Sequence, residues 1–288
     1  MRNNKKTSFA KKLAASFLLF ALAVSFAVGE DASFASPFRL EPVKDSVIGG
    51  IGLTLSGTGV VLNKVVHFKN DTWNGTAFNK NDVPAVDRFF MRPFSKGLDI
   101  AGDILQFTAL LSPAVLMAAP MEDWVTIGVM YAESVLVSYG AKSLAKAFVN
   151  RARPYMYYDN RPMDLVNEGD WNDSFMSGHS TLAFTGASFL SYVFSKYFGD
   201  SPLKYVVTAA SYTVAATTAV LRVAGGNHFL TDVLAGAVIG TASGFLVPWL
   251  HSFASDSGNG GNDGSSGLSK SVEPLVYLGG FGVRFSFR

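Results

Sequence analysis

Long runs without a charged residue constrain the fold of this chain most strongly. Five segments of 16 to 18 residues contain no charged side chain, namely 46–63, 104–121, 180–195, 205–221 and 233–250. A sixth apolar stretch, 124–149, is interrupted by Glu133, Lys142 and Lys146. Such runs are too long for ordinary β-strands, and helices of this length come close to spanning a bilayer. The pattern predicts an all-α fold, a bundle of six helices.

Composition is typical of a bundle embedded in a membrane. Hydrophobic residues make up 49% of the chain and charged residues 16%, against about 25% charged in soluble domains. Disordered chains have the opposite bias, so most of this chain is expected to be folded. The absence of cysteine excludes a disulfide scaffold and a thiolate metal site. A soluble bundle with buried apolar helices is the alternative fold.

The first 29 residues have the pattern of an export signal. Residues 1–12 include five basic residues, and residues 13–29 form an uncharged run of 17. We predict that residues 1–29 are a signal peptide or a signal anchor, which takes the chain to a bacterial cell envelope. Without this leader the chain has 19 basic and 22 acidic residues. A nucleic-acid partner is therefore not expected.

The remaining sequence divides by composition into three parts. Residues 30–251 hold the apolar runs and are predicted to form the helical domain. Residues 252–272 are dominated by Ser, Gly, Asn and Asp, which is typical of a flexible linker. Residues 273–288 alternate between apolar and polar side chains behind Gly279 and Gly280, which predicts a short hairpin or edge strand.

Lys146 and Arg153 form the first of three polar clusters at the ends of apolar runs. Residues seven apart lie on one face of a helix, and we expect the helix to end at Arg153 because Pro154 follows it. With Arg151 nearby, these cations could bind an anion. The alternative is a solvated helix end whose cations interact with the helix dipole.

The second cluster, Ser177-Gly178-His179, precedes the run 180–195. Ser177 is a good N-cap, and Gly178 allows a ligand to approach the backbone closely. Free N–H groups at a helix N-terminus bind anions, so His179 would face a bound phosphate as a proton donor. A capped helix with an incidental histidine is the alternative.

The third cluster is Arg222-x5-His228-x3-Asp232. We expect His228 and Asp232 to share a helix face, where the carboxylate holds one ring nitrogen and leaves the other as a nucleophile or base. A surface His–Asp contact is the alternative. Taken together, the three clusters contain the groups that phosphoryl transfer to a histidine requires, and they include no obvious metal site.

The ordered motifs Lys-x6-Arg-Pro, Ser-Gly-His and Arg-x5-His-x3-Asp resemble the three-part signature of the type-2 phosphatidic acid phosphatase superfamily. This superfamily also contains class A acid phosphatases and vanadium haloperoxidases, and the resemblance covers residues 124–250. It implies a six-helix bundle of that kind and a reaction without a metal or other cofactor. It also implies that His228 attacks phosphorus, Asp232 orients His228, and His179 protonates the leaving group. The phosphate-binding residues it implies are Lys146, Arg153, Ser177, Gly178 and Arg222.

Two positions depart from the family pattern, since Met176 stands where proline is usual and Leu221 where serine is usual. The chemistry is expected to survive both changes. We expect a lipid phosphate monoester or pyrophosphate as substrate and membrane lipid as a partner, with the site facing the periplasm from the inner membrane. That orientation requires one apolar run not to cross, and 46–63, with five glycines, is the best candidate. A soluble periplasmic acid phosphatase and a non-catalytic envelope protein are the alternatives.

Overall fold

The computed structural model describes residues 36–66, 68, 72–257, 270–277 and 280–287. The chain divides into two compact units, Met1–Ser255 and Asp256–Arg288. The predicted leader, residues 1–29, lies outside the described residues.

Six long helices account for most of the described part of the first unit, as the apolar runs predict. They are α1 (Pro42–Val60), α3 (Lys96–Leu111), α4 (Trp124–Phe148), α6 (Gly178–Tyr197), α7 (Leu203–Ala224) and α8 (Leu230–Ser257). Two short helices, α2 (Ala85–Phe90) and α5 (Met163–Asn167), lie in the connections. The all-α prediction is therefore confirmed for the bundle.

Short helical turns extend or connect these helices. A π-turn, Val61–Val65, follows α1, and 3₁₀ turns occupy Lys80–Asp82, Ser112–Ala118, Met121–Asp123, Pro154–Tyr157 and Asp170–Asn172. The predicted run 104–121 is divided after Leu111, because Pro113 has no N–H to donate to a continuing α-helix.

Glycines set the close packing of α8 on α6. A Cβ atom at Gly236, Gly240 or Gly244 would lie 2.1–2.6 Å from a backbone oxygen of Ser177, Thr181 or Thr185. The paired positions increase together along both helices, so α6 and α8 run parallel. Their N-termini therefore meet at one end of the bundle, which we call the loop end.

Two other helix contacts complete the arrangement. Helix α3 also begins at the loop end, because Asp103 contacts His179 in the first turn of α6 and a Cβ atom at Gly186, further along α6, would lie 2.2 Å from the carbonyl oxygen of Ala109. Helix α1 packs equally closely on α4. A Cβ atom at Gly52 would lie 2.8 Å from Cβ of Leu136, and one at Gly59 would lie 2.5 Å from Cβ of Ser143. The segment 46–63 thus packs lengthwise and in parallel against α4. The expectation that this run does not cross finds no support here, because Pro42–Val65 extends along the bundle and is itself a candidate span.

Among the residues that the structure describes, four segments are long and apolar enough to cross a membrane. They are Pro42–Val65, Lys96–Ala118, Leu203–Ala224 and Leu230–Ser252. Large apolar side chains on these segments point outward; Leu53, Phe107, Val220 and Val238 are each more than half exposed. Hydrocarbon solvates such surfaces better than water does, so the bundle is that of a membrane protein.

The second unit contains a two-stranded antiparallel hairpin. Strands β1 (Lys270–Tyr277) and β2 (Gly280–Phe287) pair with Tyr277 opposite Gly280. The predicted linker boundaries were wrong, because α8 continues to Ser257 and β1 begins at Lys270. The composition of the sequence changes where the apolar core ends, whereas the last turns of α8 continue beyond that point. Residues 258–269 lie outside the described residues.

Candidate active site

Ser177 begins α6 at the loop end as an N-cap. Its hydroxyl accepts a hydrogen bond from the Ser180 backbone N–H at 3.3 Å. Its own N–H donates to the Asp232 carbonyl oxygen at 3.1 Å, which ties the starts of α6 and α8 together. A Cβ atom at Gly178 would lie 3.4 Å from the side chain of Lys142. The N-terminus of α6 therefore lies next to Lys142, a cation outside the three sequence motifs.

Arg153 lies in a connection rather than on a helix face shared with Lys146. Helix α4 ends at Phe148, and the backbone of Arg153 is extended and hydrogen-bonded to Trp171. The prediction of one continuous helix face was wrong, because the chain after α4 pairs with the segment before α6. The buried guanidinium contacts Asp170 Oδ1 at 2.6 Å and the Asn227 carbonyl oxygen at 3.3 Å.

His228 precedes α8 and is almost completely buried. Its Nδ1 lies 2.7 Å from the Ser174 carbonyl oxygen, and its Nε2 lies 3.4 Å from Nη1 of Arg153. A carbonyl can only accept and a guanidinium can only donate, so this geometry fits a neutral ring with its hydrogen on Nδ1. The Nε2 lone pair then faces the cationic side of the site.

Asp232 does not make the hydrogen bond to His228 that the sequence suggested. The shortest distance between the carboxylate and Nδ1 is 3.8 Å, because His228 lies in the loop and not on the same helix face. Instead Oδ2 accepts hydrogen bonds from the Phe229 N–H at 2.9 Å and the Ser174 hydroxyl at 2.5 Å. Asp232 therefore orients His228 indirectly, through the residue whose carbonyl holds the ring.

Arg151 connects Asp232 to a second buried carboxylate. Its guanidinium contacts Asp232 Oδ1 through Nη1, and it contacts Asp87 Oδ2 at 2.7 Å through Nη2. Asp87, on α2, also accepts hydrogen bonds from the N–H and hydroxyl of Thr231. The expectation that Arg151 joins the anion-binding cations was wrong, since both of its terminal nitrogens are engaged by these carboxylates.

The Arg151 network should be important for stability. We expect Arg151→Met to lower the free energy of unfolding by about 3–5 kcal/mol, because it leaves two fully buried carboxylates without their cation. Thermal unfolding of the purified protein in detergent measures the effect. Arg88→Met, at an exposed arginine on α2, is the control and should change stability by at most about 0.5 kcal/mol. Equal stability of both variants would contradict the assigned role.

Arg222 reaches the site from the last turn of α7. Nη1 lies 2.6 Å from Asp99 Oδ1 and 3.5 Å from Asp103 Oδ1, whereas Nε is buried without a hydrogen-bond partner. The chain then turns through Gly226, whose φ of +72° and close approach to the Arg92 carbonyl oxygen both require glycine. This turn brings His228 back, so that its N–H donates to the Arg222 carbonyl oxygen at 3.2 Å.

The predicted cations and histidines come together at the loop end. His179 Nε2 donates to Asp103 Oδ1 at 2.7 Å, and Arg222 contacts the same oxygen. Lys146 Nζ lies 4.0 Å from Asp173 Oδ2. The acidic partners of these cations stand outside the sequence motifs and were not predicted; they are Asp99, Asp103, Asp170 and Asp173. Each of these side chains is partly exposed, so an incoming phosphate could displace it from its cation.

The surroundings of His228 favour its neutral form. Burial lowers the pKa of His228 well below its ordinary value of about 6.5. The charges of Arg153, Arg222 and Lys146 lower this pKa further. Close to neutral pH the ring is therefore an available nucleophile or base beside several anion-binding side chains. This combination suits transfer of a phosphoryl group to or from the imidazole.

A profile of the PAP2 superfamily matches residues 127–256, which include every predicted site residue. A stretch of 93 residues is 37% identical to a PA-phosphatase related-family protein of Dictyostelium discoideum and covers 30% of this chain. A stretch of 86 residues is 35% identical to the lipid A 1-phosphatase of Porphyromonas gingivalis and also covers 30% of this chain. These matches span 34% and 18% of the relatives' own lengths.

Two solved structures are similar at lower identity. The crystal structure of Aquifex aeolicus LpxE is 20% identical, with a TM-score of 0.39, and the match covers 61% of this chain and 98% of that one. The PAP2-type phosphatidylglycerolphosphate phosphatase of Bacillus subtilis is also 20% identical, with a TM-score of 0.36, and the match covers 85% and 96% of the two chains.

Proposed function

We propose that this chain, whose residues 127–256 match the profile of the PAP2 superfamily, hydrolyses a lipid phosphate monoester or pyrophosphate. The reaction proceeds through a phosphohistidine at the extracytoplasmic face of a bacterial inner membrane. The observation that carries this proposal is the orientation of His228, whose Nδ1–H is held by the Ser174 carbonyl while Nε2 faces Arg153.

In the first step Nε2 of His228 attacks phosphorus. The new N–P bond replaces the P–O bond to the leaving group, and the ring becomes positively charged. The Ser174 carbonyl stabilises this charge through Nδ1–H, and the buried Asp232 carboxylate, 3.8 Å from Nδ1, stabilises it through space. The two groups thus share the role that the sequence gave to Asp232 alone.

Lys146, Arg153 and Arg222 bind the phosphoryl oxygens. Their present carboxylate partners occupy positions that a phosphate dianion could take over. Nε of Arg222 is a buried donor without a partner and is therefore available to the substrate. Backbone N–H groups at the N-terminus of α6, beginning at Gly178, add further donors. Together these groups stabilise the charge that develops in the transition state.

His179 supplies the proton that the leaving oxygen needs. Burial lowers the pKa of His179, although its hydrogen bond to Asp103 acts in the opposite direction. A bound phosphate dianion adds negative charge beside the ring, which favours its protonated form. After the leaving group departs, the neutral ring takes a proton from the water that attacks the phosphohistidine.

An apolar groove beside the loop end supports a lipid substrate. It has a volume of about 390 Å³ and lies mainly between α7 and α8, lined by Ala219, Val220 and Val223 of α7 and by Val233, Leu234 and Ala237 of α8. Its lining also includes Ala224 and Leu230, which flank the turn that carries His228. An acyl or prenyl chain in this groove would leave its phosphate close to the site.

Phosphate release by the purified protein tests the proposed function. The panel contains phosphatidic acid, phosphatidylglycerol phosphate, a prenyl pyrophosphate, lipid A and water-soluble phosphomonoesters. We expect hydrolysis of at least one lipid phosphate with a kcat/KM well above that of the soluble esters. Hydrolysis of the soluble esters alone would favour an acid phosphatase. Failure on the whole panel would contradict enzymatic function.

The pH profile should reflect the cationic surroundings of His228. Only the neutral ring attacks, so the low pKa keeps the enzyme active below pH 6.5. Lys146→Met removes one positive charge and should raise the pKa of His228, which shifts the acid limb of kcat/KM to higher pH. The substrate's second ionisation, near pH 6, is the same for both proteins, so the difference between profiles isolates the enzyme. An unchanged acid limb would contradict this electrostatic coupling.

The absence of cysteine makes the orientation of the site easy to test. Glu168→Cys introduces a thiol in an exposed connection at the loop end, and Asp200→Cys introduces one between α6 and α7, at the opposite end. In intact cells whose outer membrane has been made permeable, a membrane-impermeant maleimide should label the first variant and not the second. The reverse pattern would place the site in the cytoplasm.

A further inference from the structure

Three titratable side chains meet at the end of the bundle opposite the candidate active site. They are Asp45 in the first turn of α1, Glu133 on α4 and His251 near the end of α8. His251 lies 19 residues beyond Asp232 on the same helix, about 28 Å at 1.5 Å per residue. The cluster is therefore separate from the phosphate site, and the mechanism does not use it.

The ligand atoms of this cluster have the spacing of a metal site. All three lie within 4.8 Å of one another, with His251 Nε2 at 2.9 Å from Asp45 Oδ1 and 3.4 Å from Glu133 Oε2. Ligands at about 2.0–2.2 Å from a tetrahedral Zn²⁺ are separated by about 3.3 Å. The two observed distances lie on either side of that value.

The hydrogen bonding of His251 leaves Nε2 directed at the carboxylates. Its Nδ1 lies 2.8 Å from the Val247 carbonyl oxygen, which can only accept, so Nδ1 holds the ring hydrogen. Such a bond to a backbone carbonyl is the usual outer contact of a metal-bound histidine. A second ring proton on Nε2 would serve Asp45, but Glu133 Oε2 remains buried without a hydrogen-bond partner. A metal ion would satisfy all three ligand atoms at once.

Charge and space at the cluster also fit a divalent ion. When both carboxyl groups are ionised, as binding of a cation favours, the two carboxylates and a neutral imidazole carry a charge of −2, which one divalent ion neutralises. The neighbouring Lys44 is directed elsewhere, to the Leu250 carbonyl oxygen at 3.3 Å and Glu41 at 3.4 Å. A Cβ atom at Gly49 would lie 3.8 Å from Glu133 Oε1, so this position of α1 faces the carboxylate without crowding it. A water molecule would supply the fourth ligand.

We propose that Asp45, Glu133 and His251 form a structural site for a divalent transition-metal ion of the Zn²⁺ class. One nitrogen and two carboxylate oxygens suit Zn²⁺, whereas Mg²⁺ and Ca²⁺ require more oxygen ligands. The ion links α1, α4 and α8, and thereby fixes the end of the bundle that lies away from the catalytic residues.

Zinc content of the purified, tag-free full-length protein tests the site. After loading with Zn²⁺ and removal of the excess, we expect about one zinc ion per wild-type chain and at least a tenfold lower content in Glu133→Gln. This substitution is nearly isosteric, so it keeps the test meaningful if His251→Ala does not fold. Glu168→Gln, at an exposed carboxylate, is the matched control and should bind zinc like the wild type.

Thermal unfolding gives a second readout that does not depend on phosphatase activity. At saturating concentration Zn²⁺ should raise the unfolding midpoint of the wild type by about 5 °C or more, and it should leave that of Glu133→Gln unchanged. Mg²⁺ should shift neither. Equal zinc content or equal shifts in the wild type and Glu133→Gln would overturn the proposal. Neither result bears on whether the loop end hydrolyses phosphate.

Discussion

His228→Asn should lower kcat for lipid phosphate hydrolysis by at least about 10⁴-fold, because it removes the atom that attacks phosphorus. The asparagine side chain can still donate a hydrogen bond from its amide to the Ser174 carbonyl, which now accepts from His228 Nδ1. The substitution therefore preserves the contact that holds the residue and deletes Nε2. Steady-state phosphate release measures the loss.

The unfolding midpoint of His228→Asn serves as its control. A midpoint within a few degrees of the wild type, together with unchanged binding of a non-hydrolysable phosphonate analogue, would show that the pocket is intact. Residual activity within about tenfold of the wild type would contradict nucleophilic attack by His228. Direct attack by water would then have to replace the proposed covalent step.

His179→Ala should lower hydrolysis of alkyl phosphates, including lipid phosphates, by about 10²–10⁴-fold, the range for loss of a general acid. The size of the loss should depend on the leaving group. A nitrophenyl phosphate ester releases a stable anion that needs no proton, so formation of the phosphohistidine should be slowed far less. A pre-steady-state burst of nitrophenolate measures that step directly.

Comparing two substrates on the same variant provides the internal control. A general structural defect in His179→Ala would slow the alkyl and nitrophenyl substrates by similar factors. The proposed role predicts a burst with the nitrophenyl ester, followed by slow turnover, because the same ring activates the water of the second step. Equal losses on both substrates, without a burst, would contradict the assignment.

The bundle could be predicted from sequence because its helices are apolar on most sides. Five uncharged runs and one interrupted apolar stretch located all six long helices, but they misplaced the ends. Helix α3 begins at Lys96, eight residues before the run 104–121, because its first two turns carry Asp99 and Asp103. Charged residues are favourable where a helix emerges from an apolar environment. A criterion that ends each predicted helix at a charged residue therefore excludes the helical turns that carry these site residues.

The site residues that the sequence did not predict are the carboxylates that pair with the cations. The cations and histidines stand in short motifs with recognisable spacing, whereas their carboxylate partners lie outside those motifs. Asp103 contacts His179 across 76 residues of sequence, and Asp99 contacts Arg222 across 123. Such pairings depend on how helices pack, which single-sequence patterns do not specify.

The spacing of His228 and Asp232 shows a second limit of prediction from the sequence. Four-residue spacing places two side chains on one face only if both belong to the helix, and His228 lies before it. The backbone carbonyl of Ser174 takes the expected place of the carboxylate, and backbone atoms have no sequence signal. Arg151 was misassigned for a related reason, since its partner Asp87 lies on a short helix within an apparently polar connection.

Trapping of the phosphorylated enzyme tests the central claim most directly. Phosphate-labelled nitrophenyl phosphate, whose leaving group needs no proton, is mixed with the wild type, His179→Ala and His228→Asn. The reaction is quenched in alkaline denaturant within milliseconds, and the protein is digested and mapped. Acid-labile, alkali-stable phosphate should appear on the peptide containing His228 in the wild type, accumulate in His179→Ala and be missing from His228→Asn. Phosphate on another residue, or equal labelling of His228→Asn, would contradict the mechanism.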